Sequence, residues 1–212
     1  MKTLSRVQRG IEELYRVETG VAVEDFVVGT EYRDELVRER KAREQLLVVE
    51  AHGELNLALY IEPAVLANLV RHDPSHSLDD RNLGDFLLAV EGVSHFIYAV
   101  CCANVDRPVS QLELELQAEV DKYVTCLLVT EPETGTSTLL RRRLFEDPAY
   151  EPDLDHDERG RYRAANDNAS QYAAWLEETF VTRRRIPEML GELRRFYRQG
   201  LAGKLATCAR AA

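Results

Sequence analysis

Glu91, His95 and Tyr98 stand at i, i+4 and i+7, which places all three on one stripe of a helix. Around them Leu83, Phe86, Leu87, Leu88, Val90, Val93, Phe96, Ile97 and Val100 make the segment apolar almost all round, the pattern of a helix buried in a core. A charge in a core needs a partner. The following segment, Ser110 to Val129, offers Glu113, Glu115, Glu119 and Asp121. Two neighbouring helices that each present ligands one turn apart are a known way to build a carboxylate–histidine metal centre. Glu91, His95, Glu115 and Glu119 are therefore candidate ligands for a divalent metal such as iron, manganese or zinc, serving hydrolysis or oxidation. The spacing departs from the helical di-iron pattern, with Glu-x-x-x-His in place of Glu-x-x-His and a single histidine. The plainer reading, a core histidine held by a glutamate with no cofactor, ranks first.

A second chemistry is suggested by arginine. Clusters occur at Arg141–Arg143, at Arg159, Arg161 and Arg163, at Arg183–Arg185, and at Arg194, Arg195 and Arg198. Phe196 and Tyr197 interleave the last, and rings beside arginines can stack nucleic-acid bases. A sequence pI near 5.1 argues against nucleic acid and for intramolecular pairing or an acidic protein partner. Arg194, Arg195, Arg198, Phe196 and Tyr197 are accordingly candidate partner-binding residues. His72, Asp73 and His76 form a polar loop that could add ligands to a metal shell, and His52 lies in another loop. Ser94 cannot pair with adjacent His95, because neighbouring helical residues point apart. The chain has no nucleophile elbow, P-loop or dinucleotide fingerprint.

The composition, 45% hydrophobic and 30% charged, is that of a globular chain rather than a disordered one. The net charge of −10 is unevenly spread: the balance is −12 up to Thr138 and +2 from Leu139 onward. The acidic first part repels nucleic acid and anionic membranes. No apolar run approaches the roughly 20 residues of a membrane span, and the N-terminus lacks an apolar signal core. Cys101, Cys102, Cys126 and Cys208 have no CxxC spacing, which points to reduced thiols in the cytoplasm.

Positioning these residues requires the following elements. Leu4, Val7, Ile11, Leu14 and Tyr15 predict an amphipathic helix. Val21 to Val28 reads as a strand, and charged Glu31 to Glu44 as a solvated helix or a loop. Leu46 to Glu50, a turn at Ala51–Glu54, and alternating Leu55, Leu57, Leu59 and Ile61 predict a hairpin whose apolar face packs on Leu83–Val100. Pro63 opens a helix. Ser110 and Glu113 carry a capping-box signature. Tyr123 to Val129 suits either a continuing helix or a strand, which would be followed by a returning strand over Leu139–Phe145.

The expected fold is α+β, a small antiparallel sheet of about three strands covered by helices, with a helical C-terminal tail. The expected organisation is a core over 1–145, an acidic proline-containing linker over 146–157, and a tail over 158–212 docked on the core. The order of elements is similar in shape to small acidic adaptor and chaperone-like domains, which by itself implies no function. Missing catalytic motifs and complementary charge point to a non-enzymatic cytoplasmic interaction or accessory protein, binding a protein partner or itself. A metal-dependent hydrolase or oxidase is the alternative, and a nucleic-acid-binding factor the third reading.

Overall fold

Leu4, Val7, Ile11, Leu14 and Tyr15 all turn inward along α1 (Lys2–Tyr15), as their spacing predicts. The computed structural model describes residues 2–37, 42–51, 54–130, 132–146 and 154–211. His52 and Gly53 of the expected turn, and residues 147–153 of the expected linker, lie outside the described residues. The chain forms two compact units, one of residues 1–12 with 17–108 and one of residues 13–16 with 109–212. The fold is α+β, with the sheet in the first unit and helices throughout the described part of the second.

In the first unit β2 (Glu44–Ala51) and β3 (Glu54–Ile61) make the hairpin in unbroken antiparallel register, from Glu44 opposite Ile61 to Ala51 opposite Glu54. β1 (Val27–Val28) joins β3 in parallel and leaves β3 at the centre. The sheet is therefore mixed, where an antiparallel one is expected. The cause lies just upstream, where the backbone finds other partners. Val23 N–H donates to Gln8 Oε1 at 2.9 Å, Gln8 Nε2 donates to the Val21 carbonyl at 2.7 Å, and Val23–Phe26 closes a 3-10 turn. Only Val27 and Val28 remain to pair. The chain through α2 (Thr30–Leu36) and β2 supplies the crossover that a parallel pair requires.

Helices cover both faces of the sheet. Leu46 and Val48 share a face with Leu57, Leu59 and Ile61, whereas Leu47 and Val49 share the other with Ala58 and Tyr60. α4 (Leu83–Ala103) packs on the first face, where Leu59 and Ile61 are buried. On the second, the Arg33 guanidinium of α2 lies 4.1 Å from the Tyr60 ring centre and donates to the Ala42 carbonyl at 3.1 Å. Ala58 and Tyr60 are thus buried too, and part of the charged run reads as a packed helix. Cover ends toward the hairpin tip. Leu57 is half-buried, and the Leu55 side chain lies outside the described residues.

α4 follows α3 (Pro63–Arg71), which has proline in its first turn as expected. By length and composition α4 is apolar enough to cross a membrane, with a mean hydropathy of 1.8. That corrects the expectation that no such run exists. Of that apolar stretch 67% is buried inside the protein.

The second unit settles the ambiguous region as helix. α5 (Gln111–Val129) runs unbroken through Tyr123–Val129, and α6 (Thr134–Arg141) replaces the alternative strand. Ser110 Oγ accepts from Glu113 N–H at 3.3 Å, the expected cap. A π-helical turn, Arg142–Glu146, extends α6. α7 (His156–Leu176) starts at a full capping box, in which Asp155 Oδ1 accepts from Glu158 N–H at 2.7 Å and Glu158 Oε2 from Asp155 N–H at 3.1 Å. α7 packs along α5 and continues into a second π-helical turn, Glu177–Val181. There Trp175 stacks on Tyr172 at 5.8 Å and meets the edge of Phe180 at 5.3 Å. α8 (Ile186–Tyr197) and α9 (Leu201–Arg210) complete the unit. The tail is helical as expected, and Gly200 stands at the N-cap of α9.

Three helical segments end alike. Val17, Arg107 and Arg185 N–H donate to the carbonyls of Glu12, Cys102 and Phe180, five residues back, at 3.1, 2.9 and 2.8 Å. This is the Schellman closure. The residue before each donor is left-handed: Arg16 at φ 53°, Asp106 at φ 51° and Arg184 at φ 55°. Glycine usually takes that position, and here two arginines and an aspartate hold it.

Candidate functional site

The metal-ligand candidates divide between the units. Glu91 and His95 stand on α4 in the first, Glu115 and Glu119 on α5 in the second. His95 is buried, as its apolar neighbours require. Two acids of the same unit stand beside it: Glu91, one turn earlier on α4 with a carboxylate oxygen within 4.8 Å of the ring, and Glu44, at the start of β2. Glu44 Oε1 lies 3.7 Å from His95 Nδ1, and both side chains are more than nine-tenths buried. Tyr98, on the same stripe of α4, accepts a hydrogen bond from Arg107 at 2.9 Å, with the guanidinium 5.3 Å from its ring centre. Glu119 accepts from Lys122 at 2.8 Å.

Glycine at position 92 lets the Glu44 carboxylate reach His95. A Cβ there would sit 2.9 Å from Glu44 Oε1 and 3.0 Å from Leu59 Cδ1. Gly92→Ala is therefore expected to lose about 1–3 kcal/mol, the usual penalty for overpacking a core. A urea midpoint equal to wild type would show that α4 can shift off the sheet without loss.

The second unit holds a polar chain through its core. Gln117 and Asp121 lie one turn apart on α5, Lys204 is on α9, and Tyr15 closes α1; all four are essentially inaccessible to solvent. Tyr15 Oη donates to Asp121 Oδ1. Gln117 Nε2 donates to the same oxygen at 2.8 Å and to Tyr15 Oη at 3.2 Å. Lys204 Nζ donates to Gln117 Oε1 and, at 3.1 Å, to the Phe196 carbonyl. The ammonium also lies 4.3 Å from the Phe196 ring centre. Burial, then the Asp121 charge, raises the Tyr15 pKa well above the usual phenol range. The network joins a carboxylate to a cation through a neutral amide, and these partners all belong to the same unit.

The partner-binding candidates surround this chain. Phe196 stacks on Tyr172 at 4.3 Å and Tyr197 on Tyr15 at 4.0 Å, so both rings are occupied by the core rather than presented outward. Arg194 Nε donates to the Leu14 carbonyl at 2.8 Å and Arg198 Nη2 to the Tyr15 carbonyl at 3.2 Å. They cap the carbonyls at the C-terminus of α1, where cations are favoured. Arg195 pairs with Glu192 on α8.

A second buried cluster joins three helical segments of this unit. Ser137 Oγ donates to Glu177 Oε2 at 2.5 Å and lies 2.7 Å from Tyr123 Oη. Arg141 and Thr138 donate to Glu177 Oε1 at 2.9 and 3.2 Å. Burial pushes the Tyr123 phenol up to about 12. Glu177 begins a π-helical turn, a feature frequent at functional sites, yet its two oxygens are taken by these three donors. Sequence reading misses both networks, because each is closed by residues far apart in the chain, Tyr15 and Lys204 against α5 in one and Glu177 against α6 in the other.

The remaining candidates are bound locally. Asp73 accepts from Arg6 at 2.6 Å and from the Ser75 N–H at 2.9 Å, and Arg6 holds its carboxyl down to about 2. Asn82 anchors the loop through the His72 and Ser77 carbonyls at 3.0 and 2.7 Å. The four cysteines form no disulfide. Burial pushes Cys126 up to about 12 and Cys208 to about 11, which suppresses the reactive thiolate.

No protein family matches the chain, nor does any curated protein or solved structure.

Proposed function

We propose that this chain is a non-enzymatic interaction protein that takes its partner on the outer edge of β2. One observation carries the reading. β2 is the outer strand of the described sheet, eight residues long and without a break in register, and Val48 and Val49 are 51% and 46% exposed. Long edge strands are usually blunted by lysine, proline or a bulge. Gln45–Val49 contains neither residue, and its pairing with β3 contains no bulge. On the opposite side β1 is two residues long, too short to template a partner, and pairs with β3 at Leu59 and Tyr60. Strand addition to an open edge is an established mode of peptide recognition.

Two supporting facts agree. The buried lysine and serine and the engaged carboxylates described above are bound into the interior of their own units. The unbridged cysteines suit a reducing compartment such as the cytoplasm. Selection from a random peptide library, counter-selected on a Val48→Lys/Val49→Lys variant, tests the reading. Extended peptides should emerge that slow amide exchange over Leu46–Val49. Binders that protect another surface would defeat it.

A divalent-metal centre is the second reading, favoured by the Glu44–His95 pair. A carboxylate beside one imidazole nitrogen orients the other toward a metal, and Glu91 lies one turn away on α4. Elemental analysis decides this. Stoichiometric iron, manganese or zinc that is lost in His95→Ala would establish it, and metal-free protein would remove it.

A further inference from the structure

We infer that the segment added to β2 is an extended chain with two successive apolar residues at its centre and lysine or arginine on both flanks. The inference rests on the reading of β2 as the docking edge and adds the chemistry of the occupant.

The apolar centre follows from the pleat. Val48 and Val49 are the two exposed valines of the strand, and successive residues face opposite sides of a sheet. A neighbouring strand covers both only by placing one apolar side chain on each face, at adjacent positions, since cross-strand pairs on one face are the contacts that stabilise a sheet. A single apolar residue would leave one valine in water.

The basic flanks follow from charge. The first unit contains 11 Lys+Arg against 18 Asp+Glu, a net −7. Four of its arginines are already engaged to carboxylates within the unit, Arg6 with Asp73, Arg33 with Asp34, Arg43 with Glu62 and Asp85, and Arg81 with Asp79. The net charge of the unit that an approaching strand meets is therefore negative. It attracts a cationic segment and repels an anionic one. A second copy is disfavoured on the same ground, because edge-to-edge pairing would bring together two chains of −10. Gln45–Val49 carries no charge, so the complementary charges belong on the partner's flanks and not at its centre.

The test uses the full chain and three labelled synthetic peptides, read by fluorescence anisotropy. One has a valine pair flanked by lysines, one has the same pair flanked by glutamates, and one is the lysine peptide with proline in place of the central valines. The lysine peptide should bind at least about tenfold more tightly than either control. Its affinity should fall about threefold or more as salt rises from about 50 to about 300 mM, since screening removes attraction between exposed charges.

Val48→Lys/Val49→Lys should weaken the lysine peptide about tenfold. Val48→Pro and Val49→Pro, made separately, bracket the open edge, because neighbouring amides point to opposite sides of the strand. One of the two should keep the native circular dichroism and lose the peptide.

Preferential binding of the lysine peptide, lost in that edge variant, supports the inference. Equal or tighter binding of the glutamate peptide, still dependent on Val48 and Val49, overturns the inference and leaves β2 as the docking edge. A dimer in sedimentation that is abolished by the lysine variant makes the occupant a second copy and overturns it likewise. Absence of any edge-dependent binding, with a monomer in sedimentation, overturns both readings.

Discussion

Methionine in place of Lys204 is expected to lower the unfolding free energy by about 3–5 kcal/mol, the usual result of breaking one side of a buried charged network. The side chain is close in length and apolar, so packing changes little. What is lost is the donor to Gln117 Oε1 and the Phe196 carbonyl and the cation over the Phe196 ring. Gln117 Oε1, the buried acceptor deprived of its donor, accounts for about 1–3 kcal/mol, whereas the Phe196 carbonyl keeps the Gln199 N–H at 3.1 Å. A variant that also carries Gln117→Leu, Asp121→Leu and Tyr15→Phe should recover much of the loss, because no polar member then remains to be satisfied. Urea unfolding followed by circular dichroism gives both numbers. If Lys204→Met alone unfolds at the wild-type midpoint, the lysine is not holding the core together.

A steep loss of stability is expected above pH 9, complete by about pH 12, and it should begin in the second unit. Five of its acids resist ionisation through burial: Tyr15, Tyr123, Tyr172, Cys126 and Cys208. In each the folded pKa is raised. The folded state is therefore favoured fully below the ordinary thiol and phenol values of 9.0 and 10.0, and that advantage disappears as pH climbs toward the folded values. Phenolate absorbance during an alkaline titration provides the check. These three tyrosines should ionise in one cooperative step that coincides with loss of helix. Smooth titration of all nine tyrosines with the circular dichroism intact would contradict it.

What the sequence discloses and what it conceals divide by distance along the chain. α1, the β2–β3 hairpin and the start of α5 are legible because each rests on a local pattern: helical spacing, strand alternation, and a serine three residues before a glutamate. Burial of His95 is legible for the same reason. Its neighbour Glu44 is not, because that residue reads as the end of a charged run and approaches His95 only across β2 and α4. β1 shrinks to two residues because a glutamine on α1 takes the hydrogen bonds that a strand would have used. Arg194 and Arg198 meet α1 carbonyls across separations of 180 and 183 residues, so the capping role of these two arginines has no local signal. Lys204 escapes notice because it is a lone lysine whose partner Gln117 lies 87 residues earlier in the chain.

The sequence contains one tryptophan, and it sits among Tyr172 and Phe180 in the second unit. Its emission therefore reports on that unit alone, while among the described residues the strand signal in the infrared arises from β1, β2 and β3 of the first. Nature has in effect labelled the two halves with different colours. Following both signals through a single denaturant titration would reveal, without any mutation, whether the halves melt as one cooperative body or in sequence. If the curves separate, every stability measured on the whole chain has to be assigned to the half that produced it.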